Sequence, residues 1–115
     1  RLLAENVEDF AIYFLDPEGR VASWDRGSMA TLGYGTGEIV GRPGAVLFTP
    51  EDRAKGLPER ELETAARDGR AADDNWLMRK DGTRFWATGA TTALRDEAGA
   101  LKGFVKIVRD ITDRK

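Results

Sequence analysis

Three β-type segments joined by very short turns occupy the C-terminal part of the chain, and they constrain its fold more than any other feature. The predicted strands are 75–80, 83–95 and 101–109, which are rich in threonine, aromatic and β-branched residues. The Asp-Gly pair at 81–82 is the strongest short hairpin signal in the sequence, and 96–99 is a second turn. Connections this short join antiparallel neighbours, so the sequence predicts three consecutive antiparallel strands.

A second hairpin is predicted near the N-terminus. Residues 10–15 are apolar, aromatic and β-branched, and the segment is too short for a buried helix, so it predicts a strand. Pro17 and Gly19 suit the second and last positions of the turn that follows. The returning strand is predicted at 21–24. Residues 1–9 precede this hairpin and predict a short helix with one apolar edge.

The middle of the chain predicts short helices. Closely spaced glycines divide residues 25–48 into two or three helical turns. Thr49 followed by Pro50 is a typical capped helix start, and Gly56 interrupts that helix. A further helix is predicted over 58–67. Its inward residues are predicted to be Leu62, Ala65 and Ala66.

The order of elements predicts an α+β fold with one five-stranded antiparallel sheet and short helices crossing over one of its faces. A chain of 115 residues is sufficient for one domain. We divide it into an N-terminal cap helix (1–9), a core (10–110) and the start of a C-terminal linker or signalling helix (111–115).

Composition excludes several classes of site. The chain has no cysteine and no histidine, which removes thiolate and imidazole nucleophiles, bases and metal ligands. The formal charge is −2 with the two signs interspersed, which argues against nucleic-acid binding. The apolar stretches are too short to span a membrane. The acidic pairs lie at turns and helix starts rather than in a predicted cleft, so we expect neither enzymatic activity nor a metal site.

Four stretches, which together extend over almost the whole chain, form a recognisable pattern. They are 15–25 (LDPEGRVASWD), 32–43 (LGYGTGEIVGRP), 79–86 (RKDGTRFW) and 110–112 (DIT). In this order and spacing they resemble the PAS domain, a sensory and signalling module. The resemblance implies the sheet order 2-1-5-4-3, with helices on one face around a pocket. It also implies a cytoplasmic regulatory domain of a bacterial signalling protein, acting on a C-terminal histidine kinase or cyclic-di-GMP enzyme. The alternative is a ligand-free dimerisation and relay module.

PAS domains hold flavin, haem, small metabolites, metal ions or nothing, and the resemblance narrows this choice without identifying a ligand. The photoactive flavin-adduct members, the LOV domains, need a cysteine in the stretch that resembles 41–43, and this chain has none. Leu77 and Ala87 stand at positions that match flavin-binding asparagines, and Val108 stands where a glutamine is expected. LOV-type flavin chemistry is thereby excluded, and the lack of histidine disfavours haem.

Strand alternation defines a candidate pocket wall. Lys106 is its most unusual member, because a buried ammonium needs an anionic partner. In one interpretation Lys106 faces an anionic ligand. In the other, which we favour, its side chain reaches the rim of the pocket or pairs with an acid. Bulky side chains filling the space would leave no pocket. The predicted wall residues are Tyr13, Leu15, Met29, Leu32, Ile39, Leu47, Leu77, Ala87, Gly89, Lys106 and Val108.

The opposite face of the sheet is predicted to be unusually apolar. A solvated antiparallel sheet face is normally polar, so this surface requires a cover. We expect a homodimer through it. The rival is intramolecular cover by Leu2, Leu3 and Val7. The predicted dimer face consists of Ile12, Phe14, Trp76, Trp86, Val105 and Ile107.

The end of the last strand is the predicted signal-coupling site. Asp110, Ile111 and Thr112 lie where the sheet hands over to the outgoing segment. Hydrogen bonds from Asp110 and Thr112 back to the sheet would set the direction of that segment. Such contacts would let a change in the sheet bias the effector.

Overall fold

A computed structural model describes residues 10–112, except for the side chain of Asp73. The predicted cap helix over 1–9 and the end of the predicted exit segment, 113–115, lie outside the described residues. The strands are β1 (Phe10–Leu15), β2 (Val21–Trp24), β3 (Arg70–Met78), β4 (Arg84–Arg95) and β5 (Leu101–Asp110). The helices are α1 (Arg26–Leu32), α2 (Thr36–Ile39), α3 (Pro50–Ala54) and α4 (Leu57–Asp68), with a 3-10 turn at Gly44–Leu47.

The strands form one antiparallel sheet in the order β2-β1-β5-β4-β3. The predicted fold class and strand order are therefore confirmed. The first and last strands in the chain lie side by side at the centre, with Ala11 opposite Val108 and Tyr13 opposite Lys106. As a result, the end of β5 lies within the body of the sheet rather than at a free edge.

The start of β3 corrects the sequence prediction. The predicted strand was 75–80, whereas β3 begins at Arg70 and ends at Met78. Its first half is poor in strand-forming residues, but it pairs with β4 from Arg70 opposite Thr92 onward. Pairing with a long neighbouring strand outweighs local propensity here.

Local capping signals position the helical layer as predicted. The Thr49 hydroxyl accepts a hydrogen bond from the Asp52 amide at 3.2 Å, and Pro50 occupies the first turn of α3. Gly56 and Gly69 bound α4, both in the left-handed region at φ +76° and +94°. The inner sheet face and these helices enclose a core. Its fully buried large side chains include Tyr13, Phe85, Phe104, Leu32, Ile39 and Leu47.

Candidate functional site

The predicted pocket wall lies almost entirely on the inside of the domain. Gly89 is half-buried on the same inner face. The fully buried members are Tyr13, Leu15, Leu32, Ile39, Leu47, Leu77, Ala87, Lys106 and Val108.

Met29 is the exception, and its prediction as a wall residue is wrong. Its side chain is 47% exposed. The buried side of α1 is formed by Gly27, Ser28, Thr31 and Leu32. Because successive helical residues are rotated by about 100°, Met29 falls on the outer side of this short helix.

The interior contains little unfilled space near these residues. A small cavity lies next to Lys106. The centre of a water molecule can occupy about 20 Å³ within it. That is enough for about one water molecule. Bulky core side chains fill the volume that the resemblance assigns to a pocket. The cavity is lined by Leu15, Gly19, Gly44, Ala45, Phe48, Pro58, Glu61, Leu62 and Lys106.

A buried ion pair lies beside this cavity. The Lys106 ammonium donates to Glu61 Oε1 at 2.7 Å, and the two side chains are 7% and 5% exposed. The Thr91 hydroxyl donates to the same oxygen at 3.2 Å. Lys106 therefore pairs with an acid, as the favoured sequence interpretation held. Glu61 thus connects α4 to β5 through Lys106 and to β4 through Thr91.

Lys106 belongs to a polar row that crosses the inner sheet face. Tyr13 on β1 and Thr91 on β4 are its register partners on either side. Burial raises the pKa of the Tyr13 phenol above its ordinary value of 10.0, while the positive charge of Lys106 acts in the opposite direction. The Lys106 ammonium also lies 5.0 Å from the centre of the Phe48 ring, within the range of a cation–π contact.

Sequence reasoning missed Glu61, although a signal for it was present. Pro58, Glu61 and Ala65 are all buried in α4. Their spacing of three and four residues places them on one side of a helix. A glutamate on the buried side of an amphipathic helix predicts a buried cationic partner, and the interpretation of Lys106 already required an anionic one.

The exit from β5 is tied back to the sheet. Arg79 Nη2 donates to Asp110 Oδ2 at 2.7 Å, and both side chains are about 30% exposed. Asp110 Oδ1 accepts from the Thr112 amide at 2.9 Å. Two further bonds reach β4: the Trp86 amide donates to Thr112 Oγ1, and the Ile111 amide donates to the Trp86 carbonyl, each at 2.9 Å. All three predicted coupling residues therefore contact the described sheet.

Arg79 is the coupling residue that the sequence did not identify. It precedes the β3–β4 turn and also donates to Thr83 Oγ1 at 3.1 Å. Its guanidinium carbon lies 4.5 Å from the centre of the Phe85 ring. Because Phe85 is fully buried, Arg79 links the core to the exit.

The same β3–β4 hairpin contacts the helical layer through two ion pairs. The Lys80 ammonium donates to the Glu38 carboxylate of α2. Arg84 donates two hydrogen bonds of 3.0 Å to the Glu51 carboxylate of α3. The Gly35 amide and Lys80 lower the pKa of Glu38, and the hydrogen bond from Arg84 lowers that of Glu51. The hairpin therefore connects α2, α3 and the exit.

The outer sheet face carries an apolar surface. Ile12, Phe14, Trp76 and Ile107 are 39–43% exposed. The rings of Trp76 and Trp86 meet edge to face with centroids 5.3 Å apart. The alternative to a dimer is intramolecular cover by Leu2, Leu3 and Val7, and these residues lie outside the described part of the chain.

Within residues 10–112, no helix has the length and apolar character needed to cross a membrane. Among the side chains that the structure describes, which do not include that of Asp73, no three carboxylates converge in a way that would hold a metal ion.

The model of the PAS domain family matches residues 9–113. The chain therefore belongs to the PAS domain family. A relative from Emericella nidulans, "Two-component system protein A", is 42% identical over all 115 residues. The chain spans only 17% of that protein's length, so the similarity concerns one module of a longer protein.

Solved structures show the same fold. A PAS domain from Colwellia psychrerythraea has a TM-score of 0.84 at 24% identity, over 99% of this chain and 100% of the other. The dark-state LOV domain of the blue-light photoreceptor Aureochrome1 has a TM-score of 0.73 at 25% identity, over 97% of this chain and 81% of the other.

The residues present do not fit a flavin held as in LOV domains. Leu77 and Ala87, at the positions matched to flavin-binding asparagines, are 3% and 2% exposed and form part of the apolar core. They offer no hydrogen bonds to a ring system. The cavity beside Lys106 is also far too small for one.

Proposed function

We propose that this PAS domain is a sensory and regulatory module that controls a C-terminal effector through the geometry of its β5 exit. The network of Arg79, Asp110 and Thr112 supports the proposal most directly. It ties the outgoing segment to the β3–β4 hairpin and to β4, so a shift in either changes where that segment points.

A histidine kinase is the effector that we propose. The support is the name of the fungal relative, which refers to a two-component system. Because we propose that the β5 exit acts on this kinase directly, and the kinase needs cytoplasmic ATP, we also propose a cytoplasmic location for the domain. The proposal does not extend to the bacterial origin expected from the sequence, because this relative is fungal.

A homodimer through the outer sheet face is the proposed working assembly. The apolar surface around Trp76 and Ile107 is large for a solvated sheet face and has the aromatic character of a protein interface. A dimer in which the two sheets face each other in parallel would place the two exits side by side. A change at both exits then alters their separation or relative angle.

A ligand-free dimerisation and relay module is the second candidate. The small cavity and the internal pairing of Lys106 with Glu61 favour it. Native mass spectrometry of freshly purified chain separates the two candidates. Additional mass that is lost on denaturation supports a ligand-binding sensor, whereas a bare dimer supports the relay.

The proposed control of the effector through the β5 exit is tested in the full-length parent protein. Asp110→Asn removes the charge that holds Arg79 while keeping the shape of the side chain. The matched control is Glu97→Gln, an exposed acid in the β4–β5 turn. We expect Asp110→Asn to abolish the stimulus response of the kinase while Glu97→Gln leaves it intact. Equal regulation in both variants would overturn the proposal.

A further inference from the structure

We propose that the free edge of β3 pairs with the same edge of a second copy of this chain. The two strands run antiparallel about a two-fold axis, with Ala72 of one copy opposite Ala72 of the other. This contact uses a different surface from the proposed homodimer through the outer sheet face, and it does not depend on that homodimer.

The edge of β3 is long and regular. The strand lies at one end of the sheet order, and its register with β4 continues over Arg70–Met78 without a bulge. Phe48 forms an isolated bridge with Leu77, which closes the C-terminal end of this edge. Over residues 70–75, the described structure places no strand on the side of β3 that faces away from β4. An uncovered edge of this kind is a template for a further strand.

The hydrogen-bond pattern shows which backbone groups face the free edge. The Ala93 amide donates to the Gly69 carbonyl at 3.0 Å, and the Arg79 amide donates to the Thr83 carbonyl at 2.8 Å. Positions 69 and 79 therefore direct their backbone groups towards β4, and so does every second residue between them. The intervening residues direct their N–H and C=O groups to the free edge. Within the uncovered part these are Arg70, Ala72 and Asp74.

Arg70 and Asp74 carry opposite charges along this edge. Both side chains are exposed, and alternation places them on the same face of the strand. Four strand residues separate them by about 13 Å, so they do not pair with each other within one chain. In a two-fold pairing centred on Ala72, Arg70 lies directly opposite Asp74 of the partner subunit, and the reverse pair forms as well. Opposite charges at facing positions stabilise strand pairing.

Charge also selects this register over its neighbours. A shift that keeps the edge-facing groups paired moves one strand by two residues. In one direction it places Asp74 opposite the partner's Asp68, and in the other it places Asp73 opposite the partner's Asp73. Like charges at facing positions destabilise strand pairing. The register centred on Ala72 avoids both and aligns each arginine with an aspartate.

The space beside the edge is open to a second strand. A groove of about 360 Å³ lies between α4 and the start of β3. Its helix side includes Leu57 and Thr64, and its strand side includes Ala71 and Ala72. The helix therefore does not close this part of the edge, and the small alanine side chains allow another backbone to approach.

Edge pairing produces one continuous sheet from two chains. The two-fold axis is perpendicular to this sheet, so both apolar outer faces lie on the same side and remain available for the face contact. Strands β3 and β5 run in the same direction, since both are antiparallel to β4. The two exits therefore lie at opposite ends of the joined sheet, and edge pairing links separate face dimers.

Disulfide trapping in the 115-residue chain tests the contact. The chain has no cysteine, so Ala72→Cys introduces a single thiol. Facing residues of a hydrogen-bonded pair have Cα atoms about 5.5 Å apart, which a disulfide can span. Ala98→Cys, in the exposed β4–β5 turn, is the matched control. We expect mild oxidation to link Ala72→Cys into dimers at least about tenfold faster than Ala98→Cys, and equal rates would overturn the proposal.

Charge exchange tests the register. In the Ala72→Cys background, Arg70→Asp places two acids opposite each other and Asp74→Arg places two arginines opposite each other. We expect each variant to crosslink at least about tenfold more slowly. In an equal mixture the two variants have unlike charges at both facing positions, so they are expected to crosslink with each other at the parent rate. Glu97→Arg, in the β4–β5 turn, is the control and keeps the parent rate. A mixture that crosslinks no faster than its components would contradict the register.

Phe14→Glu separates the edge contact from the face contact. Phe14 is 42% exposed on β1, and β5 and β4 lie between it and β3. We expect Phe14→Glu to weaken the face dimer and to leave crosslinking through Ala72→Cys unchanged. Loss of that crosslink would show that the edge contact depends on the face dimer and would overturn the proposal. A chain that dimerises without an Ala72→Cys crosslink overturns the edge contact alone and leaves the proposed function intact.

Discussion

Arg79 and Asp110 are 31 residues apart in sequence and form a 2.7 Å ion pair that joins the end of β3 to the end of β5. Each partner has a second contact that extends the link. Arg79 lies over the buried Phe85 ring, and Asp110 holds the Thr112 amide. The pair thus connects the core to the point where the chain leaves the sheet.

The exit should loosen locally when this pair is broken. In Asp110→Asn, the amide keeps the shape of the side chain but loses the charge-assisted bonds to Arg79 and Thr112. We expect amide exchange at Ile111 and Thr112 to accelerate by about tenfold, which corresponds to about 1.4 kcal/mol of lost local stability.

Hydrogen–deuterium exchange with residue resolution measures this effect. Asp16→Asn is the matched control, because Asp16 accepts two amide hydrogen bonds in the β1–β2 turn. It is expected to leave exchange at 111–112 unchanged. If the two variants exchanged alike at the exit, Asp110 would have no anchoring role.

Removing one partner of the buried ion pair should destabilise the fold strongly, whereas replacing both partners with apolar residues should destabilise it much less. Lys106→Met leaves Glu61 buried without its cation, and we expect it to lower the free energy of unfolding by about 3–5 kcal/mol. The double variant Lys106→Met/Glu61→Leu removes both charges and is expected to recover most of that loss. Urea unfolding followed by circular dichroism compares the three proteins. A double variant less stable than Lys106→Met would contradict this account of the pair.

The outer sheet face should control assembly. Trp76 is 41% exposed among other apolar side chains, so Trp76→Glu places a charge in the proposed interface. We expect the dimer dissociation constant to rise at least about tenfold, measured by sedimentation or light scattering. Met29→Glu changes a 47% exposed side chain on α1 and is expected to preserve the dimer. A Trp76→Glu protein that remained fully dimeric would show that another surface is used.

Tyr13 should make the fold sensitive to alkaline pH. Because burial raises the pKa of its phenol above 10.0, the folded state keeps a proton that the unfolded state releases. The resulting stability is fully present below about pH 10 and is lost as pH rises toward the folded-state pKa. Urea midpoints measured from about pH 9 to pH 11 should fall less steeply in Tyr13→Phe than in the wild type. Identical slopes would contradict the assignment.

Local signals predicted most of the fold. The bounds of β1 and β2 agree with the prediction, and the Thr49 cap and the Gly56 interruption lie where the sequence indicated. These features depend on neighbouring residues, so a single sequence contains them. The strand order came from the family resemblance, because the residues alone predict antiparallel pairing but not which strands are central.

The parts that could not be predicted depend on distant contacts. The start of β3 depends on pairing with β4, and the orientation of Met29 depends on how a two-turn helix rotates against the sheet. Arg79 was missed because nothing local to the β3–β4 turn indicates Asp110 as its partner. The helical spacing of the buried residues could have identified Glu61, but an acid in a charged helix is ordinarily exposed.

A charge reversal in the full-length parent protein tests whether the Arg79–Asp110 pair carries the regulatory output. Stimulus-dependent autophosphorylation is measured in Arg79→Asp, in Asp110→Arg and in the double variant. We predict that each single variant loses regulation and that the double variant, which restores the ion pair but not the contacts with Thr112 and Phe85, regains part of it. Full regulation in both single variants would contradict the account.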